Sequence, residues 1–340
     1  MSPALVAPSF FREISGEAAY ARLLARALAE IFPEIRIYTL VPESPDEGYV
    51  FARAFSRKRL LMKGPAFFNR LTLWPQALFL LLRREPYLFV LHGVEAWRRY
   101  PALARWVFRK AQGFFSVSHY TARRFLAENR LQNRWFHLPP ALDPAFEDQS
   151  ETLQLSAPGP YLLTVARLSR SASYKGVDLV LEALARLKEE FPTLQYLVVG
   201  GGDLLPEYLA RSAKLGLSSG VHFFGERRKT APFYRVSDIF VLPSGGEGFG
   251  IAFLEAMAFK KPVIGAEAGG IPEVVQHQVN GLLVPYGNPE ALTQALRRLL
   301  TDKDLARRLG EKGREILEQE YLFPRFRERL EGYLRELSWV

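Results

Sequence analysis

The sequence predicts an α/β protein built from two Rossmann-like domains, and three observations support this fold class. Short apolar runs rich in β-branched and aromatic residues alternate with stretches of helical periodicity, which is typical of βαβ units and parallel sheets. A length of 340 residues exceeds what a single hydrophobic core normally holds. The stretch 139–160 is rich in residues that interrupt regular structure and shows little periodicity, so it predicts a connection between the domains.

The elements follow in order along the chain. Predicted strands lie at 4–7, 87–91, 114–117, 161–165, 195–199, 221–224, 239–242 and 262–266. Predicted helices lie at 17–30, 177–190 and 251–259, with another opened by Pro272 and a helical C-terminus that begins after Pro289 and is interrupted near Pro324. The domain boundaries are a first domain over 1–145, a linker over 146–160, a second domain over 161–320, and a C-terminal helix over 321–340 that can pack back on the first domain.

Charge is distributed unevenly between the two halves. Residues 1–150 carry 21 Lys and Arg against 13 Asp and Glu, a net of +8, whereas residues 151–340 carry 24 against 23, a net of +1. This excess indicates an acidic partner for the first half, such as a phosphorylated acceptor or an anionic membrane surface, or it serves only solubility. Nucleic-acid binding is disfavoured because no recognised binding module accompanies the charge.

Several classes of protein are excluded by what the sequence lacks. The absence of cysteine excludes disulfides and cysteine-ligated zinc, and it fits a reducing compartment. The first ten residues lack the basic and apolar regions of a signal peptide, and the most apolar run, 77–82, is too short to span a bilayer. The predicted location is therefore cytoplasmic, with the inner face of the cytoplasmic membrane as an alternative.

The residues with the clearest chemistry follow the predicted strand 239–242. Two domains of this kind form a cleft, and ligands bind at the carboxyl ends of the strands. Here a glycine-rich loop leads into a helix, so that Gly248 and Gly250 allow backbone amides to approach an anion at the helix N-terminus. Glu247 on the loop and Glu255 in the helix can accept hydrogen bonds from two sets of hydroxyls on one ligand. The alternative is a plain turn followed by a solvated helix glutamate.

This segment, 243–257, resembles the signature of the retaining glycosyltransferase family four, whose members have the GT-B fold of two Rossmann-like domains. Further matches in the same order lie at 166–168, 175–178, 198–203, 223–225, 269–273 and 280–284. The resemblance is weaker in the first half, at Ser15-Gly16-Glu17, His92-Gly93-Val94-Glu95 and Ser116-Val117-Ser118. Only about 60 residues separate Pro33 from His92, which indicates that one βα unit of the family's first domain is missing or remodelled.

The resemblance implies an enzyme that transfers a hexose from a nucleotide-diphosphate sugar, such as GDP-mannose or a UDP-sugar, to a hydroxyl of a glycan or lipid-linked acceptor. Arg167 and Lys175 would stabilise charge on the departing diphosphate, and their alternative is a surface pair on a loop. Amides at Phe249, Gly250 and Ile251 would hold the sugar and phosphate. Glu247 would face the sugar hydroxyls.

The remaining predicted site residues lie on both halves. Glu255 would face the ribose hydroxyls, and Gly202 lies on a loop that is expected to influence donor choice. Gly16 would approach the diphosphate across the cleft. His92 would contact the transferred sugar or the acceptor, although a lone histidine after a strand is more often structural. The other four histidines are interpreted as structural.

The resemblance also implies that no metal or other cofactor takes part, since the cationic side chains can replace one. The sequence does contain Asp302-Lys303-Asp304, but it lies between predicted helices near the C-terminus and is interpreted as a helix start. Competing functions are a sugar-nucleotide epimerase, a soluble sugar-phosphate synthase, and a non-catalytic nucleotide-sugar-binding protein at a membrane. A nicotinamide-dependent dehydrogenase is disfavoured, because Gly200-Gly201-Gly202 lacks the Gly-x-Gly-x-x-Gly spacing.

A basic and aromatic stretch over residues 51–74 raises the question of membrane contact. Five cations between Arg53 and Lys63 are interleaved with apolar side chains that include Phe67, Phe68 and Trp74. Such a pattern suits a monotopic contact with anionic lipid, which would bring the enzyme to a lipid-linked acceptor. The alternative is an amphipathic helix packed on its own sheet, with its basic residues in water.

Overall fold

The computed structural model describes residues 3–10, 15–40, 64–148, 151, 153, 155 and 159–340. The chain divides into two compact units. The first unit comprises Met1–Ala141 together with Phe323–Val340, and the second comprises Leu142–Leu322. Each unit is a parallel sheet with helices, which is the α/β class that the sequence predicts.

The first unit contains a six-stranded parallel sheet in the order β2-β1-β3-β4-β5-β6. Its strands are β1 (Ala4–Ala7), β2 (Arg36–Thr39), β3 (Ala66–Phe68), β4 (Tyr87–Leu91), β5 (Gly113–Ser116) and β6 (Trp135–His137). β1, β3, β4 and β5 are buried along their whole length, as expected for apolar strands covered on both faces. The sequence predicted β1, β4 and β5 but not β2, β3 or β6, which are only three or four residues long.

Within the part of this unit that the structure describes, four α-helices connect the strands: α1 (Gly16–Ile31), α2 (Trp74–Leu82), α3 (Ala102–Lys110) and α4 (His119–Asn129). Ser15 begins α1 by accepting a hydrogen bond from the backbone N–H of Ala18, and Ser118 caps α4 in the same way through Thr121. Buried side chains of α2 and α3 join the same core as β3 and β4, so these two helices cover one face of the sheet.

The second unit contains a six-stranded parallel sheet in the order β12-β11-β10-β7-β8-β9. Its strands are β7 (Tyr161–Val165), β8 (Gln195–Val199), β9 (Val221–Phe223), β10 (Ile239–Leu242), β11 (Val263–Ala266) and β12 (Gly281–Val284). The first five agree with the prediction to within one residue at either end. β7 and β10 are neighbours although far apart in sequence, and the site described below follows these two strands.

The helices of the second unit are α5 (Val177–Leu187), α6 (Leu205–Lys214), α7 (Ala231–Val236), α8 (Ile251–Ala258), α9 (Ile271–Val274), α10 (Pro289–Thr301) and α11 (Lys303–Glu320). α5 ends three residues before its predicted end. Phe146, at the start of the predicted linker, is buried in this unit against the rings of Tyr234 and Phe259.

The sequence predicts a helical C-terminal region that is interrupted near Pro324 and has a helix start at Asp302-Lys303-Asp304, and the structure contains two breaks here. The first break lies at Asp302, whose side chain accepts a hydrogen bond from the N–H of Leu305 and so begins α11. This confirms the helix-start interpretation of Asp302-Lys303-Asp304. The second break follows Glu320, and Pro324 itself lies in the first turn of α12 (Phe323–Glu336), where a proline is tolerated.

Helix α12 belongs to the first unit. Its Phe326 packs edge-on against Tyr20 of α1, with ring centroids 5.6 Å apart, and the Arg26 guanidinium lies 4.6 Å from the ring centre of Phe323. Tyr333 donates a hydrogen bond to the carbonyl of His137. Among the described residues, no helix combines the length and apolar character needed to cross a bilayer.

Candidate active site

Two loops meet at the carboxyl edge of the second sheet. One follows β7 and runs to Gly176, and the other follows β10 and runs to Gly250. The N–H of Gly245 donates to the carbonyl of Tyr174 at 2.8 Å. Gly176 has φ +77°, and a Cβ there would lie 2.6 Å from the carbonyl oxygen of Pro243. The two loops are therefore in direct backbone contact, which fixes the side chains that they carry relative to one another.

Lys175 and Glu247 form the central contact of this site. The Lys175 Nζ lies 2.5 Å from Glu247 Oε1, and the two side chains are only 16% and 12% exposed. The carbonyl of Glu247 also accepts a hydrogen bond from the N–H of Gly270 at 2.8 Å. Because a buried charge is costly without its partner, the pair holds each member in place, and an ammonium has further N–H donors for a ligand.

Arg167 lies on the loop after β7, and its side chain is exposed. The glycine run after β8 contacts this loop, since the N–H of Leu168 donates to the carbonyl of Gly201 at 2.8 Å. Gly202 has φ +147°, and a Cβ there would lie 2.2 Å from the carbonyl oxygen of Leu168. Gly202 is therefore required for close packing against the loop that carries Arg167. A contact between Gly202 and a donor stays a prediction.

Helix α8 begins at the end of the glycine-rich loop. Gly250 takes the left-handed conformation with φ +101° immediately before Ile251, and a Cβ there would lie 2.6 Å from the ring of Phe253. Gly248 and Phe249 are buried, and the Phe249 ring packs edge-on against Tyr321. The first N–H groups of a helix have no intrahelical acceptor and lie at the positive end of its dipole. This end of α8 is therefore suited to an anion.

Glu255 lies one turn into α8, and it accepts a hydrogen bond of 2.7 Å from the hydroxyl of Tyr234. The Tyr234 ring is fully buried between those of Phe146 and Phe240. Burial raises the pKa of Glu255 to about 7, Tyr234 opposes this rise, and Asp143 adds to it. The carboxyl group of Glu255 therefore exchanges its proton near neutral pH.

In the first unit, Gly16 and His92 both lie at the carboxyl edge of the sheet. Gly16 is the first residue of α1, and His92 directly follows β4. Between them lies Asn69, which follows β3, the strand between β1 and β4. Its Nδ2 donates to the carbonyl of Glu17 at 3.0 Å, and His92 Nε2 lies 2.7 Å from the Asn69 carbonyl oxygen and 3.1 Å from Oδ1. Asn69 thus connects both predicted residues.

The electrostatic surroundings of His92 favour a neutral ring. Burial lowers the pKa of His92, and the contribution of Glu95 opposes this shift. Glu95 accepts a hydrogen bond from the His92 backbone N–H at 3.0 Å, and burial raises the pKa of its carboxyl group. The Tyr20 ring lies edge-on to the imidazole at 5.0 Å.

The other histidines contact neighbouring residues, and their structural role stays a prediction. The rings of His119 and His137 lie 4.2 Å apart, His222 Nε2 is 2.8 Å from Gln195 Oε1, and His277 Nδ1 accepts from the N–H of Leu283. Sequence reasoning missed Asn69 and Tyr234. A polar residue directly after the apolar pair Phe67-Phe68 was the available signal for Asn69, whereas nothing local in the sequence singles out Tyr234.

The second unit of the chain is similar to a known protein family. Residues 145–316 match the model of a protein family described as glycosyl transferases group 1. The chain belongs to this family. The matching segment lies within the second unit and contains Arg167, Lys175, Glu247 and Glu255.

The chain is also similar to two mannosyltransferases and to a solved structure. The GDP-mannose-dependent alpha-(1-6)-phosphatidylinositol monomannoside mannosyltransferase of Mycobacterium tuberculosis is 30% identical over 232 residues, which is 64% of this chain and 60% of that protein. The lipopolysaccharide core biosynthesis mannosyltransferase LpcC of Rhizobium leguminosarum bv. viciae is 27% identical over 90% of this chain and 89% of its own length. Among solved structures, Anabaena HepE in complex with UDP-glucose has a TM-score of 0.79 at 17% identity, covering 99% of this chain and 100% of that one. The fold is the predicted GT-B fold.

Proposed function

We propose that this group 1 family member is a metal-independent, retaining glycosyltransferase that moves a hexose from a nucleoside diphosphate sugar to a hydroxyl acceptor. The observation that carries the proposal is the buried Lys175–Glu247 pair beside the N-terminus of α8. A cation and a helix N-terminus suit a diphosphate, and a carboxylate beside them suits sugar hydroxyls. The mannosyltransferase names of relatives and the UDP-glucose complex of a structural neighbour support the same substrate class.

Each side chain has a proposed task in this reaction. Lys175 and Arg167 would stabilise the negative charge that develops on the leaving diphosphate, where fixed donors are most effective. Glu247 would accept hydrogen bonds from the sugar, and Glu255 from the ribose. The acceptor oxygen would bond to the anomeric carbon on the face from which the phosphate oxygen departs, and the hydroxyl proton would pass to the departing diphosphate. Neither glutamate then needs to be a covalent nucleophile.

The donor can be identified by thermal shift. GDP-mannose, UDP-glucose and UDP-N-acetylglucosamine are added separately, and we expect one donor and its nucleoside diphosphate to raise the melting temperature. The stabilising donor is then incubated with and without hydroxyl acceptors, because a transferase needs the acceptor for full turnover whereas an epimerase does not. Failure of every nucleotide sugar to stabilise the protein would contradict the proposal.

Metal independence and stereochemistry need separate measurements. We expect transfer to continue in EDTA, because Arg167 and Lys175 supply the positive charge that a divalent cation provides elsewhere. Activity that disappears in EDTA and returns only with manganese or magnesium would overturn this part. NMR of the first-formed product should show the anomeric configuration of the donor, and inversion would exclude the proposed front-face reaction.

A lipid-linked acceptor is favoured by an exposed surface of the first unit that is both apolar and basic. Phe67 and Phe68, for which both a membrane contact and packing on the sheet were considered, are fully buried in β3, and the cations 53–63 lie outside the described residues. Exposed apolar side chains lie instead on α2 and α3. They are Phe79, Leu82, Leu103 and Trp106, with exposed fractions of 47%, 71%, 51% and 41%. Residues 74–110 carry seven cations against two carboxylates.

This α2–α3 surface suits the interface of an anionic bilayer, since aromatic and aliphatic groups enter it while arginines meet the headgroups. Co-sedimentation with phosphatidylglycerol vesicles at low salt should capture the protein, and Phe79→Ser with Trp106→Ser should reduce binding by roughly tenfold. Leu209→Ser, at a similarly exposed leucine of the second unit, is the control. Equal binding by all three proteins would exclude this surface. Such binding would support a peripheral contact with an anionic membrane.

A further inference from the structure

The carboxyl edge of the first sheet contains a buried polar residue that the proposed reaction does not yet use. Asn69 is 1% exposed and directly follows β3, the strand between β1 and β4. Its backbone N–H donates to the carbonyl of Val6 at 2.8 Å, which anchors it to β1. Its remaining polar atoms reach the first turn of α1 and the ring of His92.

The contacts of Asn69 determine which nitrogen of His92 carries a proton. His92 Nε2 faces two oxygens, the Asn69 carbonyl at 2.7 Å and the Asn69 Oδ1 at 3.1 Å. The amide cannot be turned around, because its Nδ2 must donate to the carbonyl of Glu17 at 3.0 Å. Two acceptors at one ring nitrogen require an N–H there. In the neutral ring the proton is therefore on Nε2, and Nδ1 keeps a lone pair that can accept a hydrogen bond from a hydroxyl.

The same residue and its neighbour also hold the first turn of α1. Asn69 Nδ2 bonds the Glu17 carbonyl, and the Nε of Arg70 lies 2.8 Å from Glu17 Oε2. Gly16 immediately precedes Glu17 and begins the helix. A displacement of Asn69 would therefore move the Gly16 turn and the His92 ring together.

We propose that Asn69 is a positioning residue, which fixes His92 as the Nε2–H tautomer and couples the imidazole to the first turn of α1. The inference extends the proposed function, since it concerns how a predicted substrate contact is oriented. Its central test, however, observes the imidazole itself and needs no turnover. The charged and titratable groups around the ring are Glu95, Arg70, Glu17 and the Tyr20 hydroxyl. None of them contacts Nε2 in place of Asn69 among the described hydrogen bonds.

The decisive variant is Asn69→Asp. The substitution keeps the shape of the side chain but places a carboxylate beside Nε2–H and removes the donor to Glu17. An opposite charge at this distance favours the imidazolium, so the pKa of His92 should rise by about one unit or more. The acid limb of the activity profile should move to higher pH by the same amount, because the imidazolium has no lone pair on Nδ1.

The measurement is ¹⁵N NMR of histidine-labelled protein over a pH titration. The chain has only five histidines, and His92→Gln identifies the His92 resonances. In the wild-type protein we expect the Nε2–H tautomer to predominate when the ring is neutral. Asn129→Asp is the matched control, since Asn129 is also fully buried in this unit and hydrogen-bonded through both ends of its amide. It should leave the titration of His92 unchanged.

A second variant separates positioning from folding. Asn69→Leu keeps the volume but removes Oδ1 and Nδ2. The Asn69 backbone carbonyl remains as an acceptor for Nε2–H, so we expect the Nε2–H tautomer to persist, together with about a tenfold loss in kcat/KM. If Asn69→Leu fails to fold, the Asn69→Asp titration still decides the question. An unchanged titration of His92 in Asn69→Asp would overturn the proposal. If the NMR changes appear but transfer rates do not, the positioning is real and the proposed role of His92 in transfer is wrong.

Discussion

The two units carry their candidate site residues in different ways. In the second unit the residues marked by sequence motifs contact each other directly, as Lys175 and Glu247 do at 2.5 Å. In the first unit, Asn69, which no motif marks, hydrogen-bonds both His92 and Glu17, the residue after Gly16. The family match reflects this difference, since it covers residues 145–316 and thus only the second unit.

The two sites differ in how clearly the sequence marks them. A site made of mutually dependent side chains leaves a joint pattern in the sequence, because each member is useful only with the others. A site oriented by one buried amide leaves almost none. Activity should therefore depend strongly on the motif side chains of the second unit.

The largest effect is expected for Glu247→Gln and Lys175→Ala. Each variant removes a group that would stabilise the transition state, so we expect kcat to fall by roughly 10²–10³. The double variant should lose much less than the product of the two losses, since residues in one ion pair are not additive. Rates measured with the stabilising donor and saturating acceptor check both statements.

Lys229→Ala is the control for that experiment. Lys229 also pairs with a glutamate, Glu151, but both side chains are largely exposed, and such pairs contribute little. It should retain near-normal kinetics. Equal activity in Lys175→Ala and Lys229→Ala would show that the buried pair has no part in transfer and would remove the contrast between the units.

A smaller effect, on stability, is expected for Gly202→Ala. The new Cβ would lie 2.2 Å from the backbone oxygen of Leu168, and φ is +147°. Backbone atoms cannot move aside as a flexible side chain can, so the free energy of unfolding should fall by roughly 3 kcal/mol. Urea denaturation followed by circular dichroism measures this change.

Gly225→Ala provides the matched comparison. Gly225 also has a positive φ, +68°, but a Cβ there meets nothing within 4 Å. Only the conformational cost of about 1 kcal/mol should remain. Similar losses in both variants would mean that the close approach beneath the Arg167 loop is not what requires Gly202.

The smallest effect concerns the pH dependence at Glu255. The folded-state pKa is raised from 4.5 to about 7, so this group's contribution to stability is fully present below about pH 4.5 and is lost as the pH rises through 7. Donor affinity should change in the opposite direction, because only the carboxylate can accept hydrogen bonds from two ribose hydroxyls. Calorimetric titration between pH 6 and 8.5 should show tighter binding at the higher pH.

Tyr234→Phe sharpens this prediction. It keeps the buried ring but removes the hydrogen bond that lowers the pKa of Glu255, so the pKa should rise further. Donor affinity at pH 7 should fall by about threefold and recover at higher pH. A loss of affinity that is the same at every pH would assign Tyr234 a packing role alone.

The sequence by itself determined much of the second unit. Apolar runs bounded by glycine and proline predicted β7 to β11, and the rule that ligands bind at the carboxyl ends of strands pointed to the loop that carries Glu247. These inferences work because periodicity and strand ends are local properties. The α/β class followed from them, whereas the GT-B fold followed from the resemblance to the glycosyltransferase family.

Only the tertiary structure decided the rest. Phe67 and Phe68 have the composition of a surface contact but are fully buried in β3, because Phe68 shares a core with α2 and α3 and Phe67 packs against Trp339. Asn69 reaches Glu17 across 52 positions and His92 across 23. Contacts between such distant residues depend on how strands pair and helices pack, which no local pattern in a single sequence records.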